Sequence, residues 1–193
     1  MKRMCVFCGS SVGDDPAYRR EAAELGRILA RRGIGLVYGG GGVGLMGEIA
    51  DAVMQEGGEV IGVIPKAMAT KELAHRAITE LRVVETMHRR KAMMEELSDG
   101  FIALPGGIGT LEEICEMLTW AQLGIHRKPC GALNVRGYFS NLIAFLDRAV
   151  AEKFYRPEHR GLLLVETNAR KLIEAFDAYH PPDLKRRMDR EKS

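Results

Sequence analysis

The sequence predicts a doubly wound α/β fold, a parallel sheet with helices on both faces, and three observations lead to it. Short apolar runs alternate with helix-period stretches along almost the whole chain, which is the pattern of repeated β-α units. Two glycine-rich segments, Gly39 to Gly47 and Gly106 to Gly109, each follow an apolar run and precede a helical stretch, which puts them at the carboxyl ends of strands, where open parallel sheets bind ligands. At 193 residues the chain has room for one sizeable core rather than two ordinary domains. Residues 1–180 are therefore expected to form a single Rossmann-like domain and residues 181–193 a polar tail.

Each element has its own reason. Arg3 to Phe7 is a compact β-type run. From Pro16 to about Arg32 a helix is predicted by Tyr18, Ala22, Leu25 and Leu29 on one stripe, with Gly33 as its stop. Ile34 to Tyr38 is the next strand and leads into the first glycine segment. Ile49, Ala50, Val53 and Met54 then continue as a helix ended by Gly57-Gly58, and Val60 to Ile64 is a strand stopped by Pro65. Residues 66–80 keep no single period and predict an exposed functional loop with one helical turn at most. Leu81 to Val84 is a short strand, Thr86 to Leu97 a helix, and Phe101 to Leu104 a strand after the break at Asp99-Gly100. Leu111, Ile114, Cys115, Leu118 and Ala121 predict a helix from near Thr110 to about Gly124. Cys130 to Val135 and Leu162 to Val165 are the last strands. Phe139 to Glu152, with Leu142, Ile143, Leu146 and Val150 on one face, and Ala169 to Tyr179 are the last helices.

Composition excludes several classes. The hydrophobic fraction is 46%, the charged fraction 28% and the net charge +2, which suits a globular protein and argues against nucleic acid as a partner. The basic run Lys185-Arg186-Arg187 is interrupted by Asp183, Asp189 and Glu191, the mark of a solvated tail. No apolar stretch approaches the length of about 18 residues needed to span a bilayer, and Met1-Lys2-Arg3 leads into a strand-like run rather than a signal peptide. A cytoplasmic protein without a membrane partner is expected. Cys5 and Cys8 lie on a strand with their thiols on opposite faces, and all four cysteines are read as reduced and mostly in the core. The scattered histidines show no metal spacing.

The motifs narrow the chemistry. Gly42-x-Gly44-x-x-Gly47 matches a dinucleotide fingerprint, but Pro65-Lys66 stands where an acidic ribose-binding residue would follow, and neither glycine loop ends in Gly-Lys-Ser/Thr. Two loops embracing one mononucleotide fit better, with tight turns that merely let helices pack as the competing reading. Leu104 to Glu113 reads as a phosphate cradle with carboxylates attached, while Thr110-x-x-Glu113 reads equally as a capping box. Around the helix near residue 90, Arg90 and Lys91 flank a face formed by Met87, Met94 and Leu97, so each needs an anion or a carboxylate such as Glu112 or Glu113. Glu113 lies off its core stripe, beside Met117 and Trp120. There it could face a cleft and stabilise positive charge at a sugar anomeric carbon, or orient a water.

Met87-His88-x-Arg90-Lys91 followed by Pro105-Gly106-Gly107-x-Gly109-Thr110-x-x-Glu113 resembles the LONELY GUY family, the cytokinin riboside 5'-monophosphate phosphoribohydrolases. The resemblance extends through Cys8-Gly9-Ser10, Gly39 to Gly47, Thr119 to Gly124, Asn134 to Tyr138 and Pro157-Glu158-His159. It implies hydrolysis of the N-glycosidic bond of an adenine-type nucleoside 5'-monophosphate to free base and ribose 5-phosphate. Arg90 and Glu113 match its catalytic pair, and Lys91 and Glu72 match positions that contact substrate. Gly106, Gly107, Ile108, Gly109 and Thr110 match its phosphate loop, and Lys91 is expected to help hold the phosphate. Ser10, Gly41, Gly42, Glu112 and Thr119 complete the expected substrate-binding set. Ile108 stands where a tyrosine is common in plant members. The family further implies a homodimer with the active site near the interface, and neither a metal nor an organic cofactor. Relatives often carry the label lysine decarboxylase, yet nothing here marks a pyridoxal phosphate lysine. Two alternatives stay open: a general AMP nucleosidase, and a non-catalytic carrier of a nucleotide or a phosphorylated pterin cofactor.

Overall fold

The alternating apolar runs assemble into one sheet in this computed structural model, which describes residues 1–70 and 74–182. The strands are β1 (Arg3–Phe7), β2 (Gly35–Tyr38), β3 (Val60–Pro65), β4 (Glu80–Val84), β5 (Phe101–Ala103), β6 (Cys130–Leu133) and β7 (Leu163–Glu166). All pairings are parallel and the order is β4-β3-β2-β1-β5-β6-β7. β2, β3, β5 and β6 are buried along their whole length. Helices on both faces require such uninterrupted apolar runs. β4, at one edge, buries only Val84 fully.

Side chains alternate across the sheet and so feed two cores. Met4 and Val6 join the layer beneath α1 (Pro16–Arg31), α2 (Gly44–Gln55) and α7 (Ala169–Asp177), where Leu25, Leu29, Ile49, Val53, Leu172 and Phe176 are buried. Cys5 and Phe7 join the opposite layer, closed by α3 (Met87–Leu97), α4 (Ile108–Gln122) and α5 (Ser140–Ala151), with Met94, Ile114, Met117 and Leu118 buried there. The cysteine reading holds for three residues: Cys5, Cys8 and Cys130 are buried, the first two in opposite layers. Cys115 is the exception, exposed on α4, and all four are free thiols.

Local chemistry sets the ends of the elements. Asp15 caps α1 by accepting from the Ala17 N–H at 2.8 Å, Pro16 occupies the first turn, and Gly33 leaves the helix at φ 66°, a conformation that a side chain disfavours. Thr86 caps α3 by accepting from Arg89 N–H at 3.1 Å. α4 departs from expectation. It begins at Ile108, with extended Gly107 as its N-cap, so Thr110 lies inside the first turn and does not cap the helix. The crossover from β3 to β4 contains a 3-10 turn at Lys66–Met68, in line with the irregular loop expected there. The short helix α6 (Pro157–Arg160) and the 3-10 turn Val135–Gly137 were not anticipated. Glu72 and the tail from residue 183 lie outside the described residues. No helix among the described residues is long and apolar enough to cross a membrane.

Strand order reverses between β1 and β5, and there the two chains leaving the sheet meet. Leu104 N–H donates to Phe7 O at 2.9 Å, and Gly9 N–H donates to Pro105 O at 3.0 Å. The crevice beyond these carboxyl ends is the ligand position of such sheets. On one face of the sheet α1 and α2 lie close together, and Gly26 permits that approach: a Cβ on it would stand 2.8 Å from Ile49 O and 3.0 Å from Ala52 Cβ. Gly26→Ala is expected to lower stability by about 1–3 kcal/mol, read as a lower urea midpoint with an unchanged slope.

Candidate active site

Each glycine segment has a different reason for its glycines. Gly44 has φ 65°, and a Cβ on it would lie 2.2 Å from the Ser10 carbonyl carbon, while a Cβ on Gly47 would lie 2.6 Å from Gly42 O. Leu45 N–H donates to Gly9 O at 3.0 Å. Two of the three fingerprint glycines therefore serve the packing of one chain segment on another, as the competing reading of that motif supposed. Gly41 is buried and bridges Ala74 in antiparallel fashion, whereas Ser10 and Gly42 remain exposed beside them.

The second segment differs. Gly107 and Gly109 are exposed, have ordinary backbone angles and would place a Cβ in open space. Packing does not require them to be glycine, whereas close approach by a ligand does. The N–H groups of Gly106, Gly107, Ile108, Gly109 and Thr110 meet no acceptor among the described residues; the first bonded amide is that of Leu111, which donates to Gly107 O at 3.3 Å. Unpaired amides with the positive end of the helix dipole behind them favour an anion. Thr110 is buried and its hydroxyl packs on Gly106, where a Cβ would stand 2.2 Å from Oγ1. The capping box is therefore not formed, and Glu113 is free to point elsewhere.

Glu113 points to Arg90. The guanidinium Nη1 donates to Glu113 Oε1, Nε donates to Val63 O at 3.0 Å, and the two side chains are only 11% and 12% exposed. Gly39 makes room for the guanidinium, since a Cβ there would lie 2.4 Å from Nη2. Val63 in β3 and Gly39 just past β2 thus position Arg90, and Arg90 positions a carboxylate on the second turn of α4. Burial raises the Glu113 carboxyl above the ordinary carboxylate range; Arg90 pulls it back down, and neighbouring Glu112 pushes it up again.

Lys91 is placed differently from the sequence expectation. Its ammonium, nearly buried between α3 and α4, donates to Glu112 and, at 3.1 Å, to Glu116. Burial alone would lower the Lys91 ammonium, but the two carboxylates outweigh it and the net shift is upward. Arg90 and Lys91 each find a carboxylate, as their place beside an apolar face demanded, with Glu112 and Glu113 dividing the two. Thr119 is exposed and donates its hydroxyl to Cys115 O at 2.8 Å. It lies seven residues, about 10.5 Å of helix, beyond Glu112. The structure thus brings together Arg90, Glu113 and the Gly106 to Thr110 loop, places Ser10, Gly41 and Gly42 on the neighbouring loops, and leaves Thr119 exposed two turns beyond Glu112 on α4.

Sequence reasoning missed two contributors. Gly39 was read only as part of a glycine run, and Tyr138, whose hydroxyl donates to Gly106 O at 2.6 Å, carried no assigned role. Its sequence signals were its place just beyond a strand end, next to Gly137, and its membership of the Asn134 to Tyr138 stretch that carries the family resemblance.

Fold and site together define an α/β protein with an open row of unpaired backbone amides at the sheet's switch point and a buried arginine–carboxylate pair beside it. The family described as "Possible lysine decarboxylase" matches residues 46–176. The chain is 52% identical over 180 residues to cytokinin riboside 5'-monophosphate phosphoribohydrolase LOG7 of Arabidopsis thaliana, covering 93% of this chain and 83% of that protein. It is 51% identical to LOG1 of the same plant, named for the same activity, covering 93% and 84%. This chain belongs to that family, the LONELY GUY family. Among solved structures, the molybdenum cofactor binding protein of Rippkaea orientalis superposes with a TM-score of 0.70 at 22% identity, covering 92% of this chain and 97% of that one. The Chlamydomonas reinhardtii molybdenum cofactor carrier protein does so equally, covering 92% and 96%. At this identity the likeness shows the shared fold.

Gly107→Ala and Gly109→Ala separate a ligand cradle from a folding turn. Both variants should keep wild-type stability within about 0.5 kcal/mol in thermal melts, and both should weaken binding of a phosphate monoester measured by calorimetry.

Proposed function

We propose that this protein hydrolyses the N-glycosidic bond of adenine-type nucleoside 5'-monophosphates, cytokinin riboside 5'-monophosphates among them, releasing the free base and ribose 5-phosphate. The observation that carries the reading is the buried Arg90–Glu113 pair beside an open row of unpaired amides, in a chain half identical to relatives named for this activity.

The chemistry follows from the geometry. The amides of Gly106 to Thr110 hold the 5'-phosphate, which fixes the ribose and turns an encounter into a positioned reaction. Cleavage of the C1′–N bond develops positive charge on the sugar. Glu113, in a site of low polarity, stabilises that charge and orients the water whose oxygen joins C1′; the departing base takes up a proton. Arg90 keeps the Glu113 carboxyl ionised and orients the ribose. Lys91, already engaged by Glu112 and Glu116, acts as a positioning residue that locks α3 to α4 rather than as a phosphate ligand. Ser10, Gly41, Gly42, Glu72 and Thr119 complete the substrate site in this proposal.

The lysine decarboxylase description implies pyridoxal phosphate, and the described residues do not suit it. A Schiff-base lysine needs a lowered pKa. Lys91, the one buried lysine among the described residues, is instead raised by its two carboxylates.

We further propose that residues 1–180 form one catalytic unit that works as a homodimer. α5 buries no residue fully, and Leu123, Ile125, Phe145 and Phe154 are each more than 60% exposed. A second copy is the occupant that the family resemblance implies for this apolar surface.

Two measurements test the reading. Glu113→Gln and Arg90→Lys should each lower kcat/KM for N6-isopentenyl-AMP by roughly a hundredfold or more; activity retained in both would contradict it. A pH profile supplies the second. Because burial raises the Glu113 pKa and the reaction needs its carboxylate, activity should fall with decreasing pH along a limb above the ordinary carboxylate range, and the limb should vanish in Glu113→Gln. The ratio of kcat/KM for AMP and its N6-prenylated form separates a general AMP nucleosidase from a cytokinin-activating enzyme.

A further inference from the structure

We propose that Tyr138 is a positioning residue for phosphate, aiming the amides of the cradle by holding the carbonyl behind one of them. The inference rests on the functional reading above for the identity of the substrate, but its geometry is independent of it. The Tyr138 hydroxyl donates to Gly106 O at 2.6 Å. A trans peptide is planar, with its C=O and N–H pointing in opposite directions. Holding Gly106 O therefore turns the Gly107 N–H away from Tyr138, and Gly107 itself borders open space, since a Cβ on it would meet nothing within 4 Å. The preceding peptide is held in the same way, since Gly9 N–H donates to Pro105 O at 3.0 Å and so turns the Gly106 N–H. Two consecutive amides are thus oriented from behind by outside donors, and neither finds an acceptor among the described residues. Donation to Gly106 O also polarises its peptide and strengthens the Gly107 N–H as a donor.

Tyr138 is itself held in place by an unusual loop. Arg136 has φ 53° and Gly137 φ 76°, two left-handed residues in succession, and the first carries a side chain that makes this conformation costly. The Asn134 carboxamide oxygen accepts from Phe139 N–H at 2.7 Å, and Arg136 Nε donates to Asp15 Oδ2 at 3.2 Å. The ring of Tyr138 packs edge-on against Tyr18 at 5.7 Å and Phe139 at 5.1 Å. Tyr138 nevertheless stays 43% exposed, so core burial does not account for a loop shaped to return its hydroxyl to the cradle.

Tyr138→Phe keeps the ring and removes only the donor. Calorimetry with ribose 5-phosphate and with adenine, and steady-state kinetics with a nucleoside 5'-monophosphate, test the role against a merely structural one. The Kd for ribose 5-phosphate and the KM for the monophosphate should rise roughly three- to tenfold, the worth of one hydrogen bond. kcat, the Kd for adenine and the melting temperature should stay unchanged, and Tyr18→Phe should leave every reading at wild type. An unchanged Kd for ribose 5-phosphate, or an equal loss for adenine, overturns the inference, as does a wild-type protein that binds no ribose 5-phosphate. A wild-type protein that binds ribose 5-phosphate but releases no base contradicts the proposed function alone, and the Tyr138→Phe binding shift still decides the role of Tyr138.

Discussion

The contact between Arg90 and Glu113 is the constraint around which this structure is arranged. A buried guanidinium and carboxylate carry a heavy desolvation penalty, which is offset only when the remaining polar atoms are also satisfied. Here Nε reaches Val63 O in the second half of β3, and Gly39 just past β2 leaves room for Nη2. Two strands and two helices must therefore meet at one point for the pair to exist. The same convergence lies next to the β1–β5 switch, so the ion pair and the loop of unpaired amides lie side by side. Lys91 with Glu112 and Glu116 is a second ionic lock between α3 and α4, and it keeps the register in which Arg90 faces Glu113 and not its neighbour.

A loop without charged side chains can favour an anion through its backbone amides alone. Here the amides are left unpaired by the start of α4 and directed by bonds on the far side of their own peptide planes, from Gly9 and Tyr138. Preorganisation of this kind costs nothing at the moment of binding, because the dipoles already point where charge will sit. It also explains why the glycines of the two loops differ in kind. Gly44 and Gly47 are pressed against backbone, while Gly107 and Gly109 border empty space.

Much of this was legible in the sequence. Uninterrupted apolar runs gave away a doubly covered sheet, and helix-period stripes located every helix longer than one turn. Placing Arg90 and Lys91 beside an apolar face was enough to require carboxylate or anion partners for both. What the sequence could not decide was a matter of neighbours distant along the chain. Thr110 and glycine are about equal as N-caps by propensity, and extended Gly107 takes that place and moves the start of α4 to Ile108, which frees Glu113. Spacing could not say that Lys91 would be held by two carboxylates, one of them Glu116, a turn beyond Glu112. Nor could it show that the Tyr138 hydroxyl would return to Gly106, because the turn that brings it there depends on a left-handed arginine.

A crystal structure of Glu113→Gln grown with AMP would test the central claim most directly. The account predicts the 5'-phosphate oxygens within hydrogen-bond distance of the Gly106 to Thr110 amides and the ribose C1′ facing residue 113, with the Arg90 guanidinium alongside. A phosphate bound elsewhere, or a C1′ turned away from residue 113 and Arg90, would contradict it.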